Sequence, residues 1–277
     1  SDVDKNQLFI SLPKYKYPSF IHQNGTPVYG GYHYQVYLSY HNLNPNAYID
    51  FYEKKSEALY TGFISTPTYD GSNQATHPNV IKLDEEISSY KYWMTLTPWP
   101  NNQNKYENPS ILVSNDGIDW SEPKGIENPI SDPIEKGSYD YYSDPYLYFK
   151  ENQFHLLYRY NPYHYKGVSS NTENNLLLEK RSDNGIHWSE TEIIFDKEED
   201  QAFMSPSYVE EENIERVYYV NYNMSVYYKE KKKDGWSEPQ EINTGELNGK
   251  IWHVEFKVVN NVYIMLAFAD NKLLFEA

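Results

Sequence analysis

The chain has 277 residues, a formal charge of −16 and no cysteine, and it is unusually aromatic, with 30 Tyr, 6 Trp and 11 Phe. That length allows one large all-β domain or two small ones, and the aromatic content favours strands and broad contact surfaces. The acidic balance argues against nucleic acid and anionic membranes as partners, the missing cysteine excludes disulfides and thiolate metal sites, and no apolar run approaches the roughly 18 residues of a membrane helix.

The chain opens at Ser1 without Met, which reads as an excised or processed piece. Gln7-Leu-Phe-Ile-Ser-Leu12 has strand character. Further strands are expected at residues 18–21, 34–39 and 47–52. A second group follows at 76–83, 90–97 and 108–114, with a fourth strand after Trp120. A third lies at 143–149, 153–160 and 175–181, again followed by a Trp, Trp188. A fourth runs through 204–209, 217–221 and 225–229 to Trp236, and a fifth through 252–256, 262–268 and 272–277. Alternation with period two, mixed with short apolar runs, suits sheets stacked face to face.

One phrase recurs between these strands. It reads Ser114-Asn-Asp-Gly-Ile-Asp-Trp-Ser-Glu-Pro123, Ser182-Asp-Asn-Gly-Ile-His-Trp-Ser-Glu190 and Lys233-Asp-Gly-Trp-Ser-Glu-Pro239. A turn followed by Trp, repeated at the same place in successive four-strand units, signals a repeat architecture. The expected fold is therefore an all-β, five-bladed β-propeller in one domain. Its blades span approximately 15–65, 76–128, 143–196, 204–243 and 251–277. Pro18, Pro78, Pro145, Pro206 and Val254 mark the innermost strands. Residues 6–12 supply the missing outer strand of the last blade and close the ring. The alternative is a β-sandwich with coincidental turns.

Several segments together resemble the five-bladed propellers of glycoside hydrolase family 43 and those in tail and receptor-binding proteins of Gram-positive phages. They are His77-Pro-Asn-Val, Lys91-Tyr-Trp-Met-Thr-Leu-Thr-Pro-Trp-Pro100, Tyr106-Glu-Asn-Pro-Ser110, the Ser114–Trp120 phrase, Ser143-Asp-Pro145 and Ile251-Trp-His-Val254. The hydrolase resemblance implies three inner-strand carboxylates: a base, a positioning Asp and a Glu acid. Asp144 before Pro145 matches the second. The other two positions read His77-Pro78 and Ser205-Pro206.

Propeller topology places His77, Asp144, Ser205 and His253 around the channel mouth, under loops rich in aromatic and amide groups. The expected ligand-binding residues are His77, Trp99, Tyr106, Arg159, Tyr163, His164, Trp252 and His253, since aromatic faces and polar tips suit sugar rings. Arg159 is expected to pair with Asp144. The candidate catalytic carboxylates are Asp144, Glu255 and Glu107. Glu255 shares a strand side with His253, whereas Glu107 opens a third strand and reads as peripheral. His77 and His253 read equally as structural groups at strand ends, and Asp144 as an acceptor for backbone N–H groups. The repeated Trp residues read as packing. Glu210–Glu212 and Lys229–Lys233 read as solvated turns.

The leading functional expectation is a carbohydrate-binding propeller for a cell-wall or surface glycan, in a phage receptor-binding or related protein at the virion surface or outside the cell. The alternative is a family 43-like glycoside hydrolase with a rearranged carboxylate set. A third reading is a ring used for protein contacts, with a homo-oligomer in the full-length protein. No cofactor is required in the leading reading, although a channel calcium near His253 is compatible with it.

Overall fold

A computed structural model describes residues 66–132, 140–161, 175–196, 201–259, 262–269 and 272–276. It also describes two short antiparallel strands, β1 (Phe20–Ile21) and β2 (Pro27–Val28). The loop residues Tyr163 and His164, the closing strand at 6–12 and most of the expected first blade lie outside the described residues.

Four antiparallel meanders carry the rest. The first contains β3 (Ala75–Ile87), β4 (Tyr90–Pro98) and β5 (Ser110–Ser114). The second runs β6 (Tyr141–Lys150), β7 (Gln153–Asn161), β8 (Leu176–Ser182) and β9 (Glu192–Phe195). The third joins β10 (Met204–Glu211), β11 (Ile214–Val220) and β12 (Val226–Lys232), with β13 (Gly235–Trp236) and β14 (Gln240–Glu241) both on β12. The fourth contains β15 (Ile251–Val259), β16 (Val262–Ala269) and β17 (Lys272–Glu276). The first strands adjoin in series: β3 with β6, β6 with β10, and β10 with β15.

Each pair of neighbouring sheets is held by its own apolar layer. Trp93 on β4 meets Phe154 on β7 with ring centroids 4.6 Å apart, among Leu147, Leu156 and Tyr158. Leu157 and Leu177 of the second sheet pack with Val217 and Tyr219 of the third. Tyr218 stacks on Phe256 at 4.1 Å between the third and fourth. Truncating a ring as buried as Trp93 costs about 3–5 kcal/mol by the usual large-to-small scale.

The recurring phrase works through local hydrogen bonds. Ser114 Oγ accepts the backbone N–H of Gly117 at 2.8 Å, Asp116 Oδ1 accepts those of Ile118 and Asp119 at 2.8 and 2.9 Å, and the Trp120 indole N–H donates to Gly117 O at 3.1 Å. Ser182, Asn184, Gly185 and Trp188 repeat the pattern at 2.8, 2.9, 2.9 and 3.2 Å. Short polar side chains thus satisfy the turn's backbone donors. The indole is folded back onto its own turn, so in these two copies Trp does not open the next strand as expected. After Trp120 a single bridge, Val113 to Ser121, replaces a fourth strand, and after Trp188 the fourth strand starts only at Glu192.

The basic run also differs from expectation. Lys229 to Lys232 continue β12, because Tyr227 to Glu230 pair with β11. Lys229 is buried, with its ammonium 4.9 Å from the Phe195 ring centre.

Candidate functional site

Three inner strands bulge at the same place. The ladder shifts between Thr76 and Asn79 on β3, between Ser143 and Tyr146 on β6, and between Met204 and Ser207 on β10. The residue before proline in each bulge has positive φ: 51° at His77, 52° at Asp144 and 48° at Ser205. Proline removes a ladder donor, and the left-handed residue before it turns its side chain out of the ordinary alternation. A non-glycine residue in this conformation costs on the order of 1–3 kcal/mol and persists only when its surroundings hold it there. On β15 a shift between Ile251 and His253 falls at the corresponding position, without the proline.

The bulged side chains converge. Asp144 Oδ1 lies 3.3 Å from His77 Nε2 and 3.6 Å from His253 Nδ1, while Oδ2 lies 2.9 Å from Arg159 Nε. One potential ligand atom from each of His77, Asp144 and His253 falls within 4.8 Å of the others. Ser205 Oγ is 2.7 Å from His253 Nδ1, and Thr97 Oγ1 is 3.1 Å from His77 Nδ1. Glu107 Oε2 sits 3.6 Å from His77 Nδ1 and accepts the Ser143 hydroxyl at 2.6 Å.

Burial decides most of the charge states. It lowers His77 to about 4, against the pull of Asp144, and it lowers His253 as well, although that side chain keeps 39 % exposure. Both imidazoles are therefore neutral at pH 7, the form that ligates metals. Burial also raises Glu107 to about 8, with the Ser143 hydrogen bond opposing it. Burial alone would raise Asp144 too, but Arg159, His77 and His253 outweigh it and hold the group below the usual carboxylate range. No side-chain donor meets an Asp144 oxygen in ideal hydrogen-bond geometry, the Arg159 Nε approach being off-axis, while the Ser205 backbone N–H also helps hold the carboxylate ionised.

Of the sequence-derived candidates, His77, Asp144, Arg159 and His253 are brought together. Glu107 is also part of this group, not peripheral as expected: the loop after β4 carries it back over His77, beside Ser143. Glu255 faces a different set, accepting from Asn79 Nδ2 at 3.1 Å and pairing with Lys257 at 3.0 Å. Trp99 is half-buried, its indole N–H bonded to Asn104 Oδ1 at 2.8 Å. Tyr106 offers its carbonyl to Tyr69 at 2.9 Å, and Trp252 is 50 % exposed beside His253. Thr97, Ser143 and Tyr141 escaped the sequence reading. For the last two the one available signal was that Tyr141 and Ser143 share a strand face just before Asp144.

No family model matches the chain. A stretch of 74 residues, 25 % of this chain, is 42 % identical to 10 % of an A type blood N-acetyl-α-D-galactosamine deacetylase from Flavonifractor plautii. Among solved structures, an N-acetylgalactosamine deacetylase from F. plautii, in complex with blood group B trisaccharide, superposes with a TM-score of 0.63 and 21 % identity over 74 % of this chain and 66 % of that one. A thermostable family-43 glycoside hydrolase superposes with a TM-score of 0.51 and 10 % identity over 78 % and 76 % of the two chains. This chain thus spans less than two thirds of the deacetylase's length. The all-β architecture of mostly antiparallel sheets is similar to that of the family 43 propellers. The relatives are named as enzymes, which overturns the expectation of a phage receptor-binding glycan binder and favours the hydrolase alternative.

Proposed function

We propose that this chain carries the active site of a divalent-cation-dependent hydrolase that removes the acetyl group from an N-acetylated amino sugar in a glycan. The observation that carries this reading is the His77–Asp144–His253 trio, whose potential ligand atoms converge, with buried Glu107 alongside. Two neutral imidazoles and one carboxylate suit zinc or another first-row transition ion. They suit calcium less, since calcium takes six to eight oxygen ligands. The name of the deacetylase with the 42 % identical stretch supports the choice of substrate.

In the reaction water adds across the amide: the acyl carbon gains oxygen, the C–N bond breaks and the nitrogen leaves as an amine. A bound cation supplies Lewis acidity toward the carbonyl and acidifies water. The protein's own residues do the rest. His77, Asp144 and His253 would hold the cation, Thr97 and Ser205 orient the two imidazoles, and Arg159 keeps Asp144 ionised. Glu107 would take the proton of the attacking water in its ionised form, the minor one at pH 7 while burial holds its pKa near 8, and would return it to the departing nitrogen. The test is acetate release from N-acetylgalactosamine- and N-acetylglucosamine-terminated oligosaccharides, after chelation and re-addition of zinc, manganese or cobalt. Cation-dependent acetate that disappears in Asp144→Asn is expected, and no acetate with any ion overturns the reading.

A second reading is glycoside hydrolysis, favoured by the opposite pKa shifts of two carboxylates beside His77: Glu107 pushed up as an acid, Asp144 held down as its partner. New reducing ends without acetate, in the same assay, would select it.

We also propose that the chain forms one five-bladed ring closed by residues 6–12. The serial contact of four inner strands supports this reading. Deleting residues 1–12 should then expose an edge and lower Tm or cause aggregation. Unchanged melting and monodispersity reject the closure.

A further inference from the structure

We propose that Tyr141 is a catalytic hydrogen-bond donor, its phenol O–H binding the oxygen of the scissile acetyl carbonyl as that oxygen gains negative charge. This rests on the deacetylase reading and adds to it the residue that stabilises the transition state.

Tyr141 is the first residue of β6 and is only 6 % exposed. Its oxygen accepts the Asn104 side-chain amide at 3.4 Å. No acceptor for its own proton occurs among the described hydrogen bonds. A buried hydroxyl normally finds an acceptor, and among the described residues this O–H is left available to one that a ligand would bring. The phenol lies within electrostatic reach of Arg159, Glu107 and Asp144. It shares a strand face with Ser143, the residue that donates to Glu107. The proposed proton carrier and the proposed donor are therefore neighbours beside the same cluster.

The donor is also held in place. Asn104 accepts the Trp99 indole N–H at 2.8 Å while donating to Tyr141. The loop above the site thus fixes the phenol oxygen from outside, and no reorganisation is needed as charge develops. Burial pushes Tyr141 up to about 12, which leaves it protonated throughout the neutral range. Arg159 and Asp144 neutralise one another beside it, so the phenol meets the forming oxyanion without a net repulsive charge. No covalent bond to Tyr141 forms or breaks.

The test is Tyr141→Phe in the cation-loaded full chain. Expected are a fall in kcat for acetate release of about 10²–10³-fold, as for loss of one oxyanion donor, and a KM within about twofold of wild type. Affinity for a phosphonamidate analogue of the N-acetyl group should fall in parallel with kcat. Zinc affinity, measured by chelator competition, should not change. Asn104→Ala, on an exposed loop, serves as the positioning control and should lower kcat about tenfold with unchanged Tm. If Tyr141→Phe loses its fold, Asn104→Ala decides alone. Wild-type acetate release with kcat in Tyr141→Phe within threefold, or in Asn104→Ala unchanged, overturns the donor role and leaves the deacetylase reading standing. A wild-type chain that releases no acetate overturns both.

Discussion

The rings of His77 and His253, from the first strands of the first and last described meanders, lie 4.8 Å apart, with Asp144 Oδ1 within 3.6 Å of both. Three strands far apart in sequence therefore share one small polar site, and most of its properties follow from the burial of Asp144 between two neutral imidazoles and Arg159.

Removing the shared carboxylate should cost both stability and metal. Asp144→Ala leaves Arg159 buried without its counter-charge, which typically destabilises by about 3–5 kcal/mol. Tm should fall accordingly in the metal-free protein. His253→Ala should lose the cation with a much smaller fall in Tm, since its side chain is 39 % exposed. Metal content by mass spectrometry and a thermal melt separate the two outcomes. Retention of one equivalent of zinc by both variants would remove the trio as a site.

Glu107 gives the metal-free protein a pH slope. Its folded pKa, about 8, lies above its ordinary value of 4.5. Its contribution is therefore fully present below about pH 4.5 and is lost as pH rises toward 8. His77 has the opposite sign: its pKa falls from 6.5 to about 4, so its contribution is lost as pH drops through that window. Urea unfolding of Glu107→Gln should show a flatter limb between pH 4.5 and 8 than wild type. An unchanged limb would mean that Glu107 is not buried as described.

Gly185 tests the contact between neighbouring sheets. A Cβ there would sit 2.2 Å from Cζ3 of Trp93, whose ring is fully buried. Gly71 has nearly the same φ, 74° against 73°, but a Cβ added to it would meet nothing within 4 Å. Gly71→Ala therefore measures backbone strain alone. Gly185→Ala should cost a further 1–3 kcal/mol or so, the usual scale of overpacking. Equal melting of the two variants would contradict the sheet spacing.

Trp252 should act on substrate and not on the fold. It is 50 % exposed beside His253. Trp252→Ala should leave Tm within a degree or so and weaken glycan binding by about 1 kcal/mol, the scale of one aromatic stack, read as roughly a fivefold rise in KM. An unchanged KM would place the sugar elsewhere on the face.

Features that depend on short-range chemistry could be read directly from the order of residues. The Ser114 and Ser182 phrases build their turns from bonds spanning two or three residues, so spacing alone revealed the repeat. His77-Pro78, Asp144-Pro145 and Ser205-Pro206 likewise announced three equivalent inner-strand positions, because proline's missing donor permits the bulge there. Which side chains meet was settled by packing between sheets. Glu107 joins His77 because the loop after β4 folds back over β3, a path that no periodicity records. Glu255 has the right strand parity, yet Asn79 and Lys257 engage its carboxylate. Tyr141 matters through Asn104, a residue on another sheet's loop. Local hydrogen bonds are written in adjacent letters, whereas a buried cluster depends on how separate sheets face one another, and the residues of one sheet do not encode the spacing to the next.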